Sequence, residues 1–529
     1  MLLLSPVALA LDYTDDFSTD QAAWSGGEVV DGVLRLTDET ATLVADPVES
    51  FVATLRVRMT TEGSVAIDAG GEALTLQFSG AGAVVFAGTR LPLPPEHLRW
   101  EPAANPVIEP GADYWDGGNT LHCEVLRDPD SGTWFLYWTG EMASGYPYRQ
   151  IGVATSTDGV SWERYAGNPV LTIDYDRTSI DGIHVHMPTV VRESGGDFHM
   201  YYSCYQNDVG NRLCHATSPD GLAWTPQGMA LDKGGPGEFD EGSLRMPDAW
   251  IGDDGTWHLW YDGTDPTEHY GGTGYATSAD GWTWTKHGEI LPAESALQAL
   301  SVWRSPYGLV SFHNKDDAFR MATADPADPA TWTDAGEVLR KGWAAWNDGY
   351  IQAPSVWVDG STWRMWFNGY TYTEARERIG YAEGEALPGT WLDVGLASDG
   401  AQLTATVNGV STTVDLPSGS PLRVVAIGTA ELDDVAVRGE STPTDTGGDT
   451  GADTGAADTG GDTAAADTGR DSAAEAVDEP DPEAGCGCQS GPVAAGSFAL
   501  PLAAWVLVRR FSRRSANATR PRGAALPPR

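Results

Sequence analysis

The sequence predicts an all-β protein in which a five-bladed β-propeller is inserted into a β-sandwich of the jelly-roll type. A unit of short alternating strands returns five times between about residues 100 and 385, and Gly/Asp turns separate the strands. Strand-like segments without a helical period flank this repeat. A repeat of this size, built from short strands, is typical of propeller blades, which close around a central channel.

Each repeat begins with an acidic residue, followed seven positions later by Pro, Cys or Ser, an apolar run and an alternating aromatic run such as WHLWYDG from Trp257. Aromatic residues on both faces of a strand suit a sheet packed between two others. Three repeats close in an ATSxDGxxW turn, as at Ser278 to Trp284, the fourth closes in a decayed form, and the fifth ends differently, at IGYAEGEAL. We expect the Asp of the turn to cap it and the Trp to pack between blades. The acidic starts are Asp116, Asp181, Asp240, Glu294 and, one residue closer to its proline, Asp348.

The segments outside the repeat define the domain order. Residues 1–10 are apolar and end in Ala-Leu-Ala, which predicts a signal peptide. Residues 11–98 alternate as strands, and their opening, LDYTDDFSTDQAAWSGG, resembles the start of a laminin-G or concanavalin-type jelly roll. Matching strands follow in 387–440, so we expect one jelly roll split by a propeller over 99–386, because the ends of a propeller lie close together. Two unrelated small β-domains are the alternative.

The C-terminal part changes character. Residues 441–485 form an Asp/Thr/Gly-rich tract that cannot build a core and is predicted to be a disordered linker. Residues 486–514 then place Cys486 and Cys488 before an apolar run and an arginine cluster, and 515–529 would be a cytoplasmic tail. This order resembles the Cys-Gly-Cys C-terminal sorting signals of myxobacterial surface proteins. The resemblance implies export and attachment to the cell surface or outer membrane through a short transmembrane helix, with release after cleavage or an ordinary tail anchor as alternatives.

Composition restricts the partners. Asp and Glu number 75 against 32 Lys and Arg, giving a formal charge of −43. Such a charge disfavours nucleic acid and anionic membrane surfaces. The 21 Trp residues favour a polysaccharide or oligosaccharide, because Trp faces stack on sugar C–H groups, although most would serve as blade core. Cys204 and Cys214 flank a predicted hairpin and are expected to form a disulfide, whereas Cys123 is expected to be buried.

The strand starts WDGGNTLHCEV, IDGIHVHMPTV, FDEGSLRMPDAW and NDGYIQAPSVW, with the ATSxDGxxW turns, resemble the arabinanase/levansucrase/invertase superfamily, which includes glycoside hydrolase families 43, 32 and 68. The resemblance covers residues 105 to 385. It implies a glycoside hydrolase that uses one acid from each of the first three blades at the channel mouth. A carbohydrate-binding or adhesive surface protein that has lost its catalytic acids is the alternative.

The positions where the superfamily carries its three acids hold His122, Met187 and Arg245 here. We therefore expect a displaced carboxylate set, with Asp116 and Asp181 as base and tuning acid and Asp240 or Glu241 as proton donor. Turn-capping by the same carboxylates is the structural alternative. No cofactor is indicated, and a structural calcium ion or a metal held by histidines stays an open alternative. The predicted substrate-binding residues are Trp115, His122, His184, His186, Arg245, Trp346, Asp348 and Gln352.

Overall fold

The computed structural model describes residues 50–440 with short gaps at 60, 62, 70–71, 79, 87–88, 113–114, 144–146, 194, 208, 294–297, 388, 390–391, 399–401, 409, 416–422 and 428. Before residue 50 it describes five short strands. The predicted all-β class is confirmed, since within these ranges the regular structure is strands and two 3₁₀ turns, Pro95–His97 and Ala345–Asn347. No helix of the described part is long and apolar enough to cross a membrane, and the predicted apolar segment, linker and sorting signal lie outside it.

Ten strands precede the propeller region. In Ser50–Met59, alternating apolar residues give one buried face, made of Ala53, Leu55, Val57 and Met59. Ala10, the last residue of the predicted signal peptide, begins the first strand. The strands are β1 (Ala10–Asp15), β2 (Trp24–Ser25), β3 (Glu28–Val30), β4 (Val33–Thr37), β5 (Thr40–Leu43), β6 (Ser50–Met59), β7 (Gly63–Ala69), β8 (Glu72–Phe78), β9 (Ala83–Phe86) and β10 (Thr89–Leu91).

Five four-stranded groups follow, which we call blades 1 to 5. Each runs outward from a first strand to a fourth, and blade 5 takes its fourth strand, β11 (Leu98–Pro102), from the start of the region. The remaining strands are β12 (Asn119–Arg127), β13 (Trp134–Glu141), β14 (Arg149–Ser156) and β15 (Glu163–Arg164) in blade 1; β16 (His184–Arg192), β17 (Phe198–Gln206), β18 (Gly210–Ser218) and β19 (Thr225–Leu231) in blade 2; β20 (Ser243–Ile251), β21 (Trp257–Thr264), β22 (Tyr270–Ser278) and β23 (Trp284–Pro292) in blade 3; β24 (Gln298–Ser305), β25 (Gly308–Lys315), β26 (Ala318–Ala324) and β27 (Thr333–Arg340) in blade 4; and β28 (Tyr350–Asp359), β29 (Thr362–Thr371) and β30 (Arg376–Ala386) in blade 5.

The blades form a closed, β-propeller-like ring. The first strands β12, β16, β20, β24 and β28 contact one another in order, and β28 contacts β12. Leu98 pairs with Ala386, so the two ends of the ring are joined by hydrogen bonds. This pairing explains why the fifth repeat lacks the ATSxDGxxW ending, because its outermost strand comes from the other end of the ring.

Five strands follow the ring: β31 (Leu392–Ser398), β32 (Gln402–Val407), β33 (Val410–Asp415), β34 (Arg423–Ile427) and β35 (Thr429–Glu440). They enter both sheets built by β1–β10. One sheet has the order β3-β4-β35-β6-β31-β32-β33, with β1 also paired to β35, and the other has the order β10-β9-β8-β7-β34-β5-β2. Strands from before and after the ring therefore share the same sheets, as an inserted ring requires, while the exact domain boundaries stay predictions.

Every first strand contains a bulge. Each blade's bulge residue has a positive φ, between 41° and 55°, and the pairing register shifts there. The following residue is Pro in three blades, Cys123 in blade 1 and Leu300, rather than the predicted Ser301, in blade 4. In four of the five junctions a second-strand side chain accepts the N–H of the next blade's bulge residue: Met187 to Thr139 at 2.9 Å, Ala299 to Asp262 at 3.0 Å, Ala353 to Asn314 at 2.9 Å, and His122 to Asn368 at 3.3 Å.

The ATSxDGxxW turns lie at the outer edge, as predicted. Asp158 accepts the N–H groups of Val160 and Ser161 at 2.8 and 2.7 Å, so the Asp caps its turn. Each turn also receives a bond from an aromatic residue on the second strand of the preceding blade, which ties neighbouring blades together. These bonds are Tyr137 Oη to Gly221 O at 2.8 Å, Tyr201 Oη to Gly281 O at 2.6 Å, Trp260 Nε1 to Pro329 O at 3.1 Å, and Trp366 Nε1 to Gly159 O at 3.0 Å.

The sandwich and the ring share one core. Buried residues of β6 and β31, such as Leu55 and Leu396, belong to the same apolar cluster as Phe312 of blade 4 and Trp363 of blade 5. Trp363 also donates its Nε1 hydrogen to the carbonyl oxygen of Leu93 at 3.0 Å. The sandwich thus supports the ring on its blade 4 and blade 5 side.

Candidate active site

The predicted catalytic aspartates lie in the connections that lead into the first strands. Asp116 is 0% exposed and pairs with Arg164 of β15. Asp240 accepts a hydrogen from Lys286 Nζ of β23 at 2.7 Å and one from the Tyr261 hydroxyl at 3.3 Å. Both aspartates therefore tie an entry loop to the fourth strand of their own blade. These contacts favour the structural alternative, and the structure does not bring the two together at one site.

Asp181 and Glu241 occupy similar connections. The Tyr202 hydroxyl donates to Asp181 at 3.2 Å, and burial, the largest effect, raises the pKa of Asp181 to about 6. Glu241 accepts the N–H of Gly237 at 2.8 Å and so stabilises its own loop. A catalytic role for these residues stays a prediction that their contacts do not support.

The fifth repeat needs a correction. Asn347, seven residues before Pro354, is the buried counterpart of the aspartates, and its Oδ1 accepts the N–H groups of Gly342 and Ala344 at 3.1 and 3.3 Å. The predicted Asp348 is exposed and accepts the N–H of Tyr372 at 3.0 Å. An Asn at this place fits turn capping and could not serve as an acid. Glu294 lies outside the described residues.

Trp115 and Trp346 are framework residues rather than walls of a sugar site. Trp115 is buried against Trp138, with ring centroids 5.8 Å apart. A Cβ added at Gly140 or Gly152 would overlap the Trp115 ring. Trp346 packs in the same way over Gly369 and Gly380, and donates its Nε1 hydrogen to Ala104 O at 3.0 Å. Glycines on the second and third strands thus make room for an aromatic residue that closes the blade.

The channel mouth, which we define as the end of the ring where the first strands begin, is lined by rows of residues in cross-strand register. The row of blade 1 is Asn119, Glu141 and Arg149; that of blade 2 is His184, Tyr205 and Asn211; that of blade 3 begins Ser243, Thr264 and Tyr270; and that of blade 5 is Tyr350, Tyr370 and Glu377. Arg149 is also the residue of blade 1 that bridges to His184 of blade 2. Polar side chains from distant parts of the chain therefore converge at this end.

Glu141 and Glu377 form the carboxylate pair of the mouth. Asn119 links them, because its Nδ2 donates to Glu141 Oε1 at 2.8 Å and its Oδ1 accepts the N–H of Glu377 at 3.0 Å. Glu141 is also ion-paired with Arg149, with 3.0 Å between Nε and Oε2. The sequence analysis did not identify any of the three charged residues, Glu141, Arg149 and Glu377. A usable signal existed, since Arg149 and Glu377 both stand two residues before an Ile-Gly pair in the third strand.

Glu377 changes between its protonated and ionised forms near physiological pH. Burial, the largest effect, raises its pKa to about 7, and the nearby charge of Glu141 acts in the same direction. The hydrogen bond from the Tyr350 hydroxyl and the charge of Arg149 act in the opposite direction. Asn368 Nδ2 donates to its second oxygen at 2.9 Å. A carboxyl poised between protonated and ionised forms beside an ion-paired carboxylate is the arrangement that acid/base chemistry requires.

The three predicted histidines lie at the mouth and are neutral. Burial lowers the pKa of His122 to about 3 and that of His184 to about 4, and the charge of Arg149 lowers both further. His184 and His186 have ring centroids 5.5 Å apart, and His186 Nε2 lies 2.9 Å from Asn211 Oδ1. In the described part, the group of potential metal ligands within 4.8 Å of one another is Asp181, Cys204 and Cys214, not these histidines. The two cysteines are joined in the predicted disulfide, so no thiolate is present there.

Arg245 and Gln352 also lie at the mouth. Arg245 stands opposite Asp262 and is ion-paired with Glu268. Burial raises the pKa of Asp262 to about 7, although the Ala299 N–H and the Tyr270 hydroxyl donate to it at 3.0 and 3.1 Å. Gln352 donates a hydrogen bond to Glu377 that favours its ionised form. The structure therefore brings these two predicted residues to the site, where Arg245 pairs with Glu268 and Gln352 bonds to Glu377.

A second pair of buried carboxyl groups lies deeper in the ring. Glu124 and Asp248 follow the bulges of blades 1 and 3 and line a small axial cavity with His122 and Cys123. Burial raises the pKa of Asp248 to about 8 and that of Glu124 well above its usual value, and Glu124 is raised further by Asp248. Asp248 accepts the N–H of Val302 at 3.0 Å, as Ser355 accepts that of Val125 at 2.9 Å. This recurrent bond marks Asp248 as part of the inter-blade framework.

No protein-family model and no curated protein matches this chain. Several solved structures are similar to it. One is described with the GH130 family of mannoside phosphorylases, containing glycoside hydrolases that target beta-1,2 mannosidic linkages in Candida mannan (19% identity, 55% of this chain, 96% of that chain, TM-score 0.44). Others are a glycosyl hydrolase from Bacteroides ovatus (18%, 55% and 95%, 0.43) and the family 117 glycoside hydrolase Zg3597 from Zobellia galactanivorans (15%, 56% and 92%, 0.43). Identities and TM-scores this low carry no inference about the reaction of this chain.

Proposed function

We propose that this protein is an exported, surface-attached glycoside hydrolase that acts on a polysaccharide or oligosaccharide at the channel mouth. The observation that carries the proposal is the Glu141–Glu377 pair. Glu141 is ion-paired with Arg149, and burial raises the pKa of Glu377 to about 7. Glycoside hydrolysis needs one protonated and one ionised carboxyl group. This pair replaces the Asp116, Asp181, Asp240 and Glu241 set expected from the sequence.

In the proposed reaction Glu377 gives its proton to the glycosidic oxygen as the bond to the anomeric carbon breaks. Glu141 either attacks that carbon or takes a proton from the attacking water, and Arg149 stabilises its charge before the reaction. Asn119 bonds to both residues and would fix their relative orientation. Tyr350 and Gln352 hold the carboxyl group of Glu377 in place.

Aromatic residues beside Glu377 favour a sugar as the substrate. Tyr350 and Tyr370 are stacked, with ring centroids 4.8 Å apart, and Tyr372 meets Tyr370 edge to face at 5.6 Å. Tyr372 is 68% exposed, the highest value among the large exposed hydrophobic residues of the described part. An exposed tyrosine at the edge of an acid/base site offers a stacking surface and a hydroxyl, both of which suit a pyranose ring.

A carbohydrate-binding protein without hydrolytic activity is the second candidate. It is favoured by His122, Met187 and Arg245, which occupy the places where the superfamily that the sequence resembles carries its acids. Under this reading the mouth binds a glycan, and Glu377 accepts or donates hydrogen bonds to hydroxyl groups.

Export and surface attachment belong to the same proposal. They are supported by the apolar N-terminal segment, by the Cys-Gly-Cys motif followed by an apolar run and arginines, and by the Cys204–Cys214 disulfide. Detection of the native chain on intact cells with an antibody, before and after removal of residues 486–529, would test the attachment.

The catalytic proposal is tested by Glu377→Gln, assayed for reducing-sugar release from a panel of neutral and acidic polysaccharides. The expected loss is about 100-fold or more, as for removal of a general acid. Glu385→Gln, on the same strand but with a side chain 46% exposed, is the matched control and should retain activity. Full activity of Glu377→Gln would refute the assignment, and binding without turnover by the wild-type protein would favour the second candidate.

A further inference from the structure

Two guanidinium groups share the channel mouth of a protein whose formal charge is −43. Arg149 belongs to blade 1 and Arg245 to blade 3, and the charge of Arg149 is one cause that lowers the pKa of Arg245. The two groups are therefore close enough to repel each other. Each has one ion-pair partner, Glu141 for Arg149 and Glu268 for Arg245, and the charge of Asp262 also acts on Arg245.

Polar atoms without a partner surround this pair. The Nε of Arg245 and the Nδ1 atoms of His122 and His186 are buried and make no hydrogen bond. His122 is 6% exposed and His186 2%. Buried polar groups in native proteins are nearly always bonded, so orphaned atoms at one end of a channel indicate a missing ligand.

The charges that act on the buried histidines are positive. The charge of Arg149 acts on both His122 and His186, and the charge of Arg245 also acts on His122. No carboxylate is among these causes. A negatively charged group placed between the guanidinium groups would relieve their repulsion and accept the Nε hydrogen of Arg245.

We infer that the Arg149–Arg245 pair binds the negatively charged substituent of a sugar unit, either the carboxylate of a uronic acid or a sulfate ester. The inference deepens the proposed function by naming its substrate class. The planar guanidinium fork matches both groups and is bound by them in a bidentate manner.

His186 restricts the ligand further. Asn211 Oδ1 is an acceptor, so the Nε2 of His186 carries the hydrogen of their 2.9 Å contact. In the neutral ring the buried Nδ1 is then an acceptor, which suits a hydroxyl group and not a bare anion. A ligand with both a negative charge and hydroxyl groups satisfies the two requirements together.

The test is calorimetric binding to Glu377→Gln, which prevents turnover, with two matched pairs of probes. The first pair is trigalacturonic acid and its methyl ester, and the second is a sulfated oligogalactan and its desulfated form. We expect the charged member of one pair to bind about tenfold more tightly, or more, than its neutral partner, as for one charge-assisted hydrogen bond. The preferred pair identifies the source of the charge.

The Arg245→Gln substitution added to this background should remove most of that preference, measured as the ratio of the affinities for the charged and neutral probes. Arg304→Gln, at the far end of β24 and paired with Asp253, is the control and should keep the preference. Equal affinity within both pairs, no binding of any probe, or a preference that survives Arg245→Gln would overturn the inference. If inorganic sulfate competes as strongly as the charged sugar, the conclusion that the ligand is a sugar would be overturned. If the charged probe is preferred but the wild-type protein does not hydrolyse it, only the proposed reaction is contradicted.

Discussion

Glu141 Oε2 accepts a hydrogen from Nε of Arg149 at 3.0 Å and lies 2.9 Å from its Nη2. Its second oxygen is bonded by Asn119, which also holds the backbone of Glu377. Glu141 is thus held from both sides, and Glu377 is fixed relative to it through Asn119. The pH dependence of any reaction at this site follows from this arrangement.

The hydrolysis rate should fall as the pH rises through about 7. Glu377, whose pKa is raised to about 7, must be protonated to act as the acid, and it loses its proton above that pH. Initial rates between pH 5 and pH 9, at saturating substrate and after a stability check at each pH, provide the measurement. A rate that stays level from pH 6 to pH 9 would contradict the role of Glu377 as proton donor.

Asp116→Asn should lower stability and leave hydrolysis intact. The substitution removes the charge that pairs with Arg164 from a side chain that is 0% exposed, at an expected cost of about 1–3 kcal/mol. The exposed Asp348→Asn is the control, with a change within about 0.5 kcal/mol. Chemical denaturation and activity assays on both variants check the result. An Asp116→Asn protein that is fully stable but inactive would restore the catalytic role expected from the sequence.

Gly140→Ala should destabilise the ring, because the new methyl group would overlap the buried ring of Trp115. Overpacking of this kind costs about 1–3 kcal/mol or more. Gly235→Ala is a matched control, since the nearest atom to its Cβ, Glu238 Oε1, is 3.9 Å away. Thermal melting of the two variants gives the comparison. Equal melting temperatures would show that the Trp115 packing described above is wrong.

Stability should decrease between about pH 4 and pH 8 through Asp248. Its pKa is raised by burial from 3.8 to about 8, so over this range the folded state keeps a proton that the unfolded state has released. The contribution of Asp248 is therefore greatest below about pH 4 and is lost as the pH rises toward 8. Asp248→Asn, which can still accept the Val302 N–H, should flatten this slope and be the more stable protein at pH 8.

Urea denaturation at pH 5 and pH 8 measures this difference. Asp325→Asn, at an exposed turn, should keep the wild-type slope. An unchanged slope in Asp248→Asn would mean that Asp248 does not hold a proton in the folded state.

Local patterns in the sequence were sufficient for the all-β class, the capping Asp of the ATSxDGxxW turns and the Cys204–Cys214 pairing. In the turn and in the disulfide the interacting groups lie three and ten residues apart, so local spacing indicates the contact. The repeat also located the aspartates that start each unit, but it could not separate a catalytic carboxylate from a structural one. In blade 5 the equivalent position holds Asn347, which cannot act as an acid and bonds backbone N–H groups instead. This equivalence became clear only from the strand register of the structure.

The mouth depended on tertiary structure. Asn119 and Glu377 are 258 residues apart, and they meet because β11 pairs with β30 and closes the ring, which brings blade 5 beside blade 1. No spacing in the sequence encodes that meeting. Protonation was likewise decided by the fold, because the pKa of Glu377 rises through burial among side chains from other strands. The sequence by itself determined the strands and their turns, and the closing of the ring determined which charges face one another.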